Sequence, residues 1–385
     1  MVIIGKIKEV VWKNTPELVK PYIRYIYYGS RIPFNYPENF KKFKFYTSAG
    51  RKERISFAPP VFVASICTVC NLRCPTCLYV IKDASVFKDG GFIKVDDFKA
   101  IIDKYAKGVD IVFLTGGEAL LHPELDNLAN IVKSKGLSLK ISTNGILIDR
   151  WIDSLKLFDF INVSMDGYDY ESFKRLRGGT QDQFDRILVG LSLLKKNNIK
   201  FLISFLLSEE NLDEIYEMLK FAYKFQPSGV EFHNINPHGC KDYTSLTLSS
   251  EKVHQIVKAI MSKSDYPFDI SLPIIFDTES RHFKTAKCIQ PWYYCCFDDK
   301  GDISFCCHLR HDRVIGNIFS NYDFNSDMMR NFRRQMIKGE YAADDCLYCH
   351  RRFMGEEYGH FDSKLKKWKS VLGKGAVHDD KGNNL

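Results

Sequence analysis

Between residues 61 and 235, six short strand-like runs alternate with amphipathic stretches, and this alternation constrains the fold more than any other feature. The runs are Val61–Ile66, Asp110–Leu114, Ser138–Ser142, Phe160–Met165, Lys200–Leu206 and Val230–Ile235. Between them lie segments whose apolar residues recur at helical spacing, such as Val95–Tyr105, Pro123–Ser134, Gln183–Lys196 and Leu212–Phe225. Strands alternating with helices build βαβ units and hence a parallel sheet. Polar and glycine motifs collect just after the strands, which in a β/α barrel is the active-site face.

The first run ends in Cys67-Thr-Val-Cys70-Asn-Leu-Arg-Cys74-Pro-Thr-Cys77, so one short loop carries the thiols of Cys70, Cys74 and Cys77. Thiolates are the usual ligands of a 4Fe–4S cluster. Three of them hold three irons and leave the fourth open to a small molecule. Spacing alone leaves two other readings open. Cys67/Cys70 and Cys74/Cys77 form the paired Cys-x2-Cys units of a zinc knuckle, and the same residues suit half of a disulfide set.

The Cys70-x3-Cys74-x2-Cys77 spacing resembles the signature of the radical S-adenosylmethionine (SAM) superfamily, and the post-strand motifs resemble it in order. Thr115-Gly116-Gly117-Glu118 is similar to the family's Gly-Gly-Glu motif for the SAM amino group. Glycines admit close backbone approach, and a carboxylate accepts from an ammonium. Ser142-Thr143-Asn144-Gly145 resembles the segment near the SAM ribose. Ser164-Met165-Asp166-Gly167 with Arg177-Gly178-Gly179 resembles the pattern that puts Ser164 and Arg177 near the SAM carboxylate. Two positions depart from the pattern. Ala119 replaces the usual proline, and Thr76 replaces an aromatic, whose adenine contact would fall to Tyr79. The resemblance implies a six-stranded partial (β/α)6 TIM-like barrel. In it SAM is cleaved by an electron from the cluster, and the resulting 5′-deoxyadenosyl radical takes a hydrogen atom from the substrate. It also implies an electron donor such as a flavodoxin or ferredoxin.

Twelve cysteines need a second explanation. Cys288, Cys295, Cys296, Cys306, Cys307, Cys346 and Cys349 all lie past residue 280. The turn at Asp299–Gly301 reads as a β-hairpin. Cys288-Ile-Gln-Pro291-Trp292, Cys306-Cys307, Gly316-Asn317 and Cys346-x2-Cys349 resemble the SPASM or shorter Twitch extension, which binds auxiliary clusters. The resemblance implies one auxiliary 4Fe–4S cluster on Cys288, Cys306, Cys346 and Cys349, and hence a small C-terminal α+β cysteine-rich domain. A zinc ribbon is the other reading of those four residues. Cys295, Cys296 and Cys307 are spare ligands or small buried apolar residues. The expected organisation is an N-terminal extension (1–58), the barrel (59–275), the cluster domain (276–355) and a tail (356–385), disordered past Lys374.

Charge separates the N-terminus from the rest. The first 54 residues carry twelve Lys or Arg against Glu9, Glu17, Glu38 and Glu53, an excess that equals the net +8 of the whole chain. The region is also rich in aromatics, and Thr15–Tyr28 suits an interfacial helix. The readings are a solvated cap on the barrel, or docking on an anionic partner such as a membrane surface. No signal-peptide pattern and no long apolar run occurs, and clustered thiols favour metal inside a reducing compartment. The expected location is cytoplasmic, with membrane docking as the alternative.

Candidate substrate residues end the sixth strand: Glu231 and His233 on one face, then Asn234, Asn236 and His238. Asp298, Asp299, Tyr293 and Tyr294 join them from near the auxiliary cysteines, and Cys240 reads as a silent core residue. The expected reaction is a two-electron oxidation of a small-molecule or lipid-linked substrate, with the auxiliary cluster accepting an electron. Peptide maturation by crosslinking, epimerisation or side-chain oxidation is the enzymatic alternative. A non-enzymatic metal-binding scaffold docking on an anionic partner is the alternative of another class.

Overall fold

The computed structural model describes residues 48–77, 80, 90–235, 242–275, 288–306, 314–340, 346, 349 and 359–370. Thr15–Tyr28, Tyr79, Asn236, His238, Cys240, Cys307 and the tail past residue 370 lie outside the described residues.

The expected alternation is present. The strands are β1 (Val61–Cys67), β2 (Ile111–Gly116), β3 (Ser138–Thr143), β4 (Phe160–Ser164), β5 (Phe201–Leu207) and β6 (Gly229–Asn234). Between them run α1 (Val95–Tyr105), α2 (Leu125–Ser134), α3 (Ile148–Leu155), α4 (Tyr170–Arg177), α5 (Gln181–Lys196) and α6 (Ile215–Phe225). Each helix turns an apolar stripe to the sheet; in α1 this is Phe98, Ile101 and Ile102. Helices α4 and α5 meet closely because both ends are chemically specified. Gly178 ends α4 in the left-handed conformation, and Thr180 with Gln183 forms a capping box that starts α5.

Two further strands extend the six. After α7 (Glu251–Met261), β7 (Asp269–Leu272) pairs in parallel with β6. After the short α8 (Gln290–Tyr293), β8 (Tyr294–Phe297) pairs in parallel with β1. Both are only four residues long, and two of the four in β8 are cysteines, so neither reads as a strand run. The sheet order places β8, β1, β2, β3, β4, β5, β6 and β7 side by side. Antiparallel strands β9 (Asp302–Ser304) and β10 (Val314–Asn317) continue one edge. The turn at Asp299–Gly301 thus closes a hairpin of β8 and β9. Strands β11 (Gly359–Asp362) and β12 (Lys367–Ser370) continue the other edge, so this part of the expected tail is a hairpin on the barrel. Phe361 packs against Tyr266, and the Trp368 indole donates to Lys263 O at 2.7 Å. Among the described residues the two edges do not pair, and the barrel stays partial.

The two faces of the sheet differ. Val112, Leu114, Ile141, Ile161, Val163, Ile203 and Phe205 are buried beneath the helices. The opposite, concave face carries an apolar patch on the β1–β2–β8 side, where Val61, Val63 and Cys296 pack with Ile111, Phe113, Tyr293 and Tyr294. From β3 to β7 the concave face carries Ser142, Asn162, Ser164, Ser204, Glu231 and Ser271, which occupy matching register positions. A polar interior leaves room and chemistry for a ligand where a closed barrel would pack a core.

The C-terminal segment grips the chain just before β1. In helix α9 (Asp327–Lys338), Arg333 is completely buried and donates to Pro291 O, Glu53 O and Phe324 O. Asn325 exchanges two hydrogen bonds of 2.9 Å with the Ile55 backbone, and the Trp292 indole donates to Lys52 O at 2.7 Å. Residues 52–55 therefore strap this C-terminal segment to the barrel. Among the described residues no helix is long and apolar enough to cross a membrane.

Candidate active site

The cysteine loop leaves the end of β1 and folds back on the end of β2. Gly117 N donates to Cys67 O at 2.9 Å, and Glu118 N donates to Val69 O at 2.8 Å. This approach requires the glycines. A Cβ on Gly116 would stand 2.2 Å from Cys67 O, and one on Gly117 would stand 2.3 Å from Val69 O. The space they leave is thus filled by the cysteine loop itself. Within the loop, Cys77 N donates to Cys74 O, and Arg73 donates to the carbonyls of Cys70 and Leu72.

Cys70, Cys74 and Cys77 open into a cavity of about 330 Å3 at the strand ends. Its walls include the expected Gly116, Gly117, Glu118, Ser142, Asn144, Ser164 and Arg177, so six strand ends contribute to one space, with His233 on the side away from the cysteines. Burial pushes the Cys70 thiol up to about 11 and raises Cys74 as well. The Cys70 and Cys74 thiols of the protein alone are therefore protonated at neutral pH, and a metal must displace those protons to bind. Among the described residues no disulfide joins the cysteines.

Two charged groups organise the walls. Glu118 is buried, and its carboxylate accepts from Leu120 N, Thr143 Oγ1 and Asn144 N. Burial raises its pKa, against the pull of those hydrogen bonds. Arg177 pairs with Asp166 at 2.8 Å, while the other Asp166 oxygen accepts from Leu206 N. Burial opposes the charge on Arg177, but Cys74 and Asp166 outweigh it and raise its pKa. Arg177 Nε and Asn162 Oδ1 are buried at this pocket without a hydrogen-bond partner among the described residues. Buried polar atoms of that kind are satisfied by a ligand or water.

The substrate candidates separate. His233 Nε2 lies 3.6 Å from Glu231 Oε2, on the shared face that the two-residue period gives, and His233 lines the cavity. Asn234 does not. Its side chain turns to the opposite face, donates to Leu246 O and Ile274 O, and accepts from Leu246 N. Asp298 caps its own hairpin by accepting from Lys300 N and Asp302 N. Asp299 packs by Thr68 and Gly91 under the cysteine loop. Sequence reasoning missed Asn162, Ser204 and Leu206 as wall residues. Asn162 shares the face of Ser164 by alternation, and Ser204 is the single polar residue in β5, so both were detectable.

The second cysteine group comes from separate segments. Cys288 precedes α8, Cys306 follows β9, and Cys346 and Cys349 follow α9. Cys288, Cys306 and Cys346 are half-buried against the core, and Cys349 is buried. Cys295 and Cys296 are buried in β8; Cys295 packs in the core and Cys296 against Val61 and Val63, as small apolar residues. Among the described residues no three His, Cys, Asp or Glu side chains converge on a single metal ion.

Residues 64–222 match the family model described as the Radical SAM superfamily. The Fe-coproporphyrin III synthase of Methanosarcina barkeri is 27% identical over 241 residues, 61% of this chain and 58% of that protein. The AdoMet-dependent heme synthase of the same organism is 31% identical over 181 residues, 46% of this chain and 50% of that protein. The chain thus spans little more than half the length of these relatives. Streptococcus suis SuiB bound to its precursor peptide SuiA superposes with a TM-score of 0.62 at 16% identity, over 83% of this chain and 77% of SuiB. The anSMEcpe enzyme with bound AdoMet and a peptide superposes with a TM-score of 0.56 at 17% identity, over 78% of this chain and 89% of that one. At such identities the superpositions speak to the fold. The domain match, the cysteine spacing and the partial barrel agree: residues 64–222 carry a domain similar to the radical SAM superfamily.

Proposed function

We propose that the chain binds a 4Fe–4S cluster through Cys70, Cys74 and Cys77 and SAM in the adjoining cavity, and that it oxidises a polar substrate held against β5 and β6. The observation that carries this reading is that the three thiols and the ends of β1 to β6 line one cavity. The donor set suits the groups. Three thiols in one loop match a cluster with an open iron. Arg177 and Ser164 suit a carboxylate, and the unpartnered Asn162 Oδ1 suits a hydroxyl or amino donor. When bound, the cluster and SAM supply one-electron cleavage of SAM and removal of a hydrogen atom from carbon. A flavodoxin or ferredoxin would deliver the electron.

The protein's own residues then hold the partners. The Asp166–Arg177 pair keeps the guanidinium fixed and charged beside Cys74. His233, with Glu231 at 3.6 Å, lines the cavity from β6 and is read as a substrate-facing group. Residues 276–355 are read as the auxiliary unit, with Cys288, Cys306, Cys346 and Cys349 holding a second cluster that accepts the substrate's second electron. A peptide substrate is the second reading. The polar row Ser204, Glu231, Ser271 and His360 continues past the cavity across β5, β6, β7 and β11, an extended face that suits a chain-like substrate.

The test is anaerobic reconstitution with iron and sulfide, followed by SAM and dithionite. About eight irons per chain with formation of 5′-deoxyadenosine is the expected result. Tightly bound zinc, with SAM left intact, would overturn the reading.

A further inference from the structure

Glu118 is the most heavily engaged acid in the cavity wall, and both of its carboxylate oxygens accept from neighbouring protein donors. It is 2% exposed. Oε1 accepts from Leu120 N at 3.0 Å and from Thr143 Oγ1 at 2.6 Å, and Oε2 accepts from Asn144 N at 2.7 Å. A carboxylate offers about four acceptor positions, so three are spent. Turning the group toward a ligand would strip the acceptor from Thr143 and Asn144, which are themselves 3% and 5% exposed. Leaving buried donors unpaired is costly.

The hydrogen bonds continue from Asn144 into the cysteine loop. Asn144 Nδ2 donates to Asn71 Oδ1 at 2.7 Å, and Asn144 Oδ1 accepts from Ile146 N at 3.1 Å. Asn71 directly follows Cys70. Its carbonyl accepts from Gln183 Nε2 at 3.3 Å, and Gln183 is fixed by the capping box with Thr180. On the other side, the Cys67 thiol donates to Glu118 O at 3.1 Å. The cysteine loop is therefore latched at its start by the Glu118 backbone and past Cys70 by the Glu118 side chain, acting through Asn144 and Asn71.

We propose that Glu118 is a positioning residue for the cysteine loop, acting through Asn144 and Asn71, and is not a ligand of the SAM ammonium. This rests on the cluster-and-SAM reading above. It also gives the Gly116-Gly117-Glu118 segment a single purpose: the glycines let the loop in, and the carboxylate locks it.

The test compares Glu118→Gln, Asn71→Ala and the double variant with the parent after anaerobic reconstitution. The readouts are the EPR spectrum of the dithionite-reduced cluster before and after SAM, and SAM affinity. Glu118→Gln sets an amide donor against Asn144 N–H and opens the latch at its root. Asn71→Ala opens it downstream at a half-buried loop position, removes no hydrogen bond of Glu118, and carries the test alone if Glu118→Gln does not fold. Both single variants are expected to change the EPR spectrum before SAM is added and to weaken SAM binding by about tenfold. The double variant should be no worse than either, because the residues act in one chain. Weaker SAM binding in Glu118→Gln alone, with an unchanged spectrum and a parent-like Asn71→Ala, would overturn the proposal in favour of an ammonium ligand. Variants indistinguishable from the parent would overturn it as well. A parent protein without a SAM-responsive cluster signal would sink the radical SAM reading itself, a different result from either.

Discussion

The two cysteine groups are built in opposite ways. Cys70, Cys74 and Cys77 share one loop whose shape is fixed by backbone contact with the neighbouring strand end, at Gly116, Gly117 and Glu118. Cys288, Cys306, Cys346 and Cys349 come from four positions around a short helix, a hairpin and α9. That region meets the barrel through β8 on β1 and through side chains that hold residues 52–55. The first site is thus specified locally and the second by docking. Local substitutions should break one, and remote substitutions the other.

The largest expected effect separates the groups outright. Cys70→Ala should abolish 5′-deoxyadenosine formation, with iron falling from about eight to about four per chain. Cys346→Ala should lose a similar amount of iron yet still yield 5′-deoxyadenosine, while product formation is lost. Full product formation without the auxiliary iron would remove that cluster from the oxidation. Next comes Gly117→Ala. Its Cβ would sit 2.3 Å from Val69 O and 3.1 Å from Cys70 Cβ, so the loop must move. A loss of about 10- to 100-fold in 5′-deoxyadenosine formation is expected, with auxiliary iron retained. Parent-like turnover would show that the contact at Val69 does not set the loop.

Much of this was legible in the sequence because it is local. Strand alternation needs only neighbouring residues, and so does the Cys70-x3-Cys74-x2-Cys77 spacing. The glycine motif was legible as a motif but not in its purpose. Close approach to a ligand and close approach to the Cys67–Val69 backbone call for the same residue. What escaped depends on long-range pairing. β7 and β8 are too short to show a period, and the β11–β12 hairpin is defined by pairing with β7 far earlier in the chain. Asn234 carries the same polar signal as His233, but strand alternation turns it away from the cavity to hold Leu246 and Ile274.

The docking half of the comparison is tested by Arg333→Met. Arg333 is fully buried and has no carboxylate partner among the described residues, and burial lowers its pKa to about 10. Methionine keeps much of the volume but removes the donors to Glu53 O, Pro291 O and Phe324 O. Stranding buried carbonyls should cost about 3 kcal/mol in urea unfolding. Auxiliary iron should be lost ahead of SAM-cluster iron. An equal loss at both sites would mean that the strap supports the whole barrel and that the two sites are not independently held.

The adjacent residue supplies the control with the smallest effect. Arg334 also reaches Glu53, donating from Nε to its carboxylate at 2.7 Å, but the pair is exposed to solvent. That hydrogen bond holds the Glu53 carboxyl below the usual carboxylate range. A carboxyl depressed in the folded state adds stability above its ordinary pKa and loses it as pH falls through the lowered value. Arg334→Ala should therefore leave the urea midpoint at pH 7 nearly unchanged, because an exposed pair gains little against water and salt. Whatever difference from the parent exists at neutral pH should vanish in acid and in high salt. The same residue, Glu53, is thus gripped twice from one helix, once through its backbone by a buried guanidinium and once through its side chain by an exposed one. If Arg334→Ala cost as much as Arg333→Met, the strap would be held by charge rather than by buried hydrogen bonds. The auxiliary region should then detach from the barrel as salt rises, with no substitution needed.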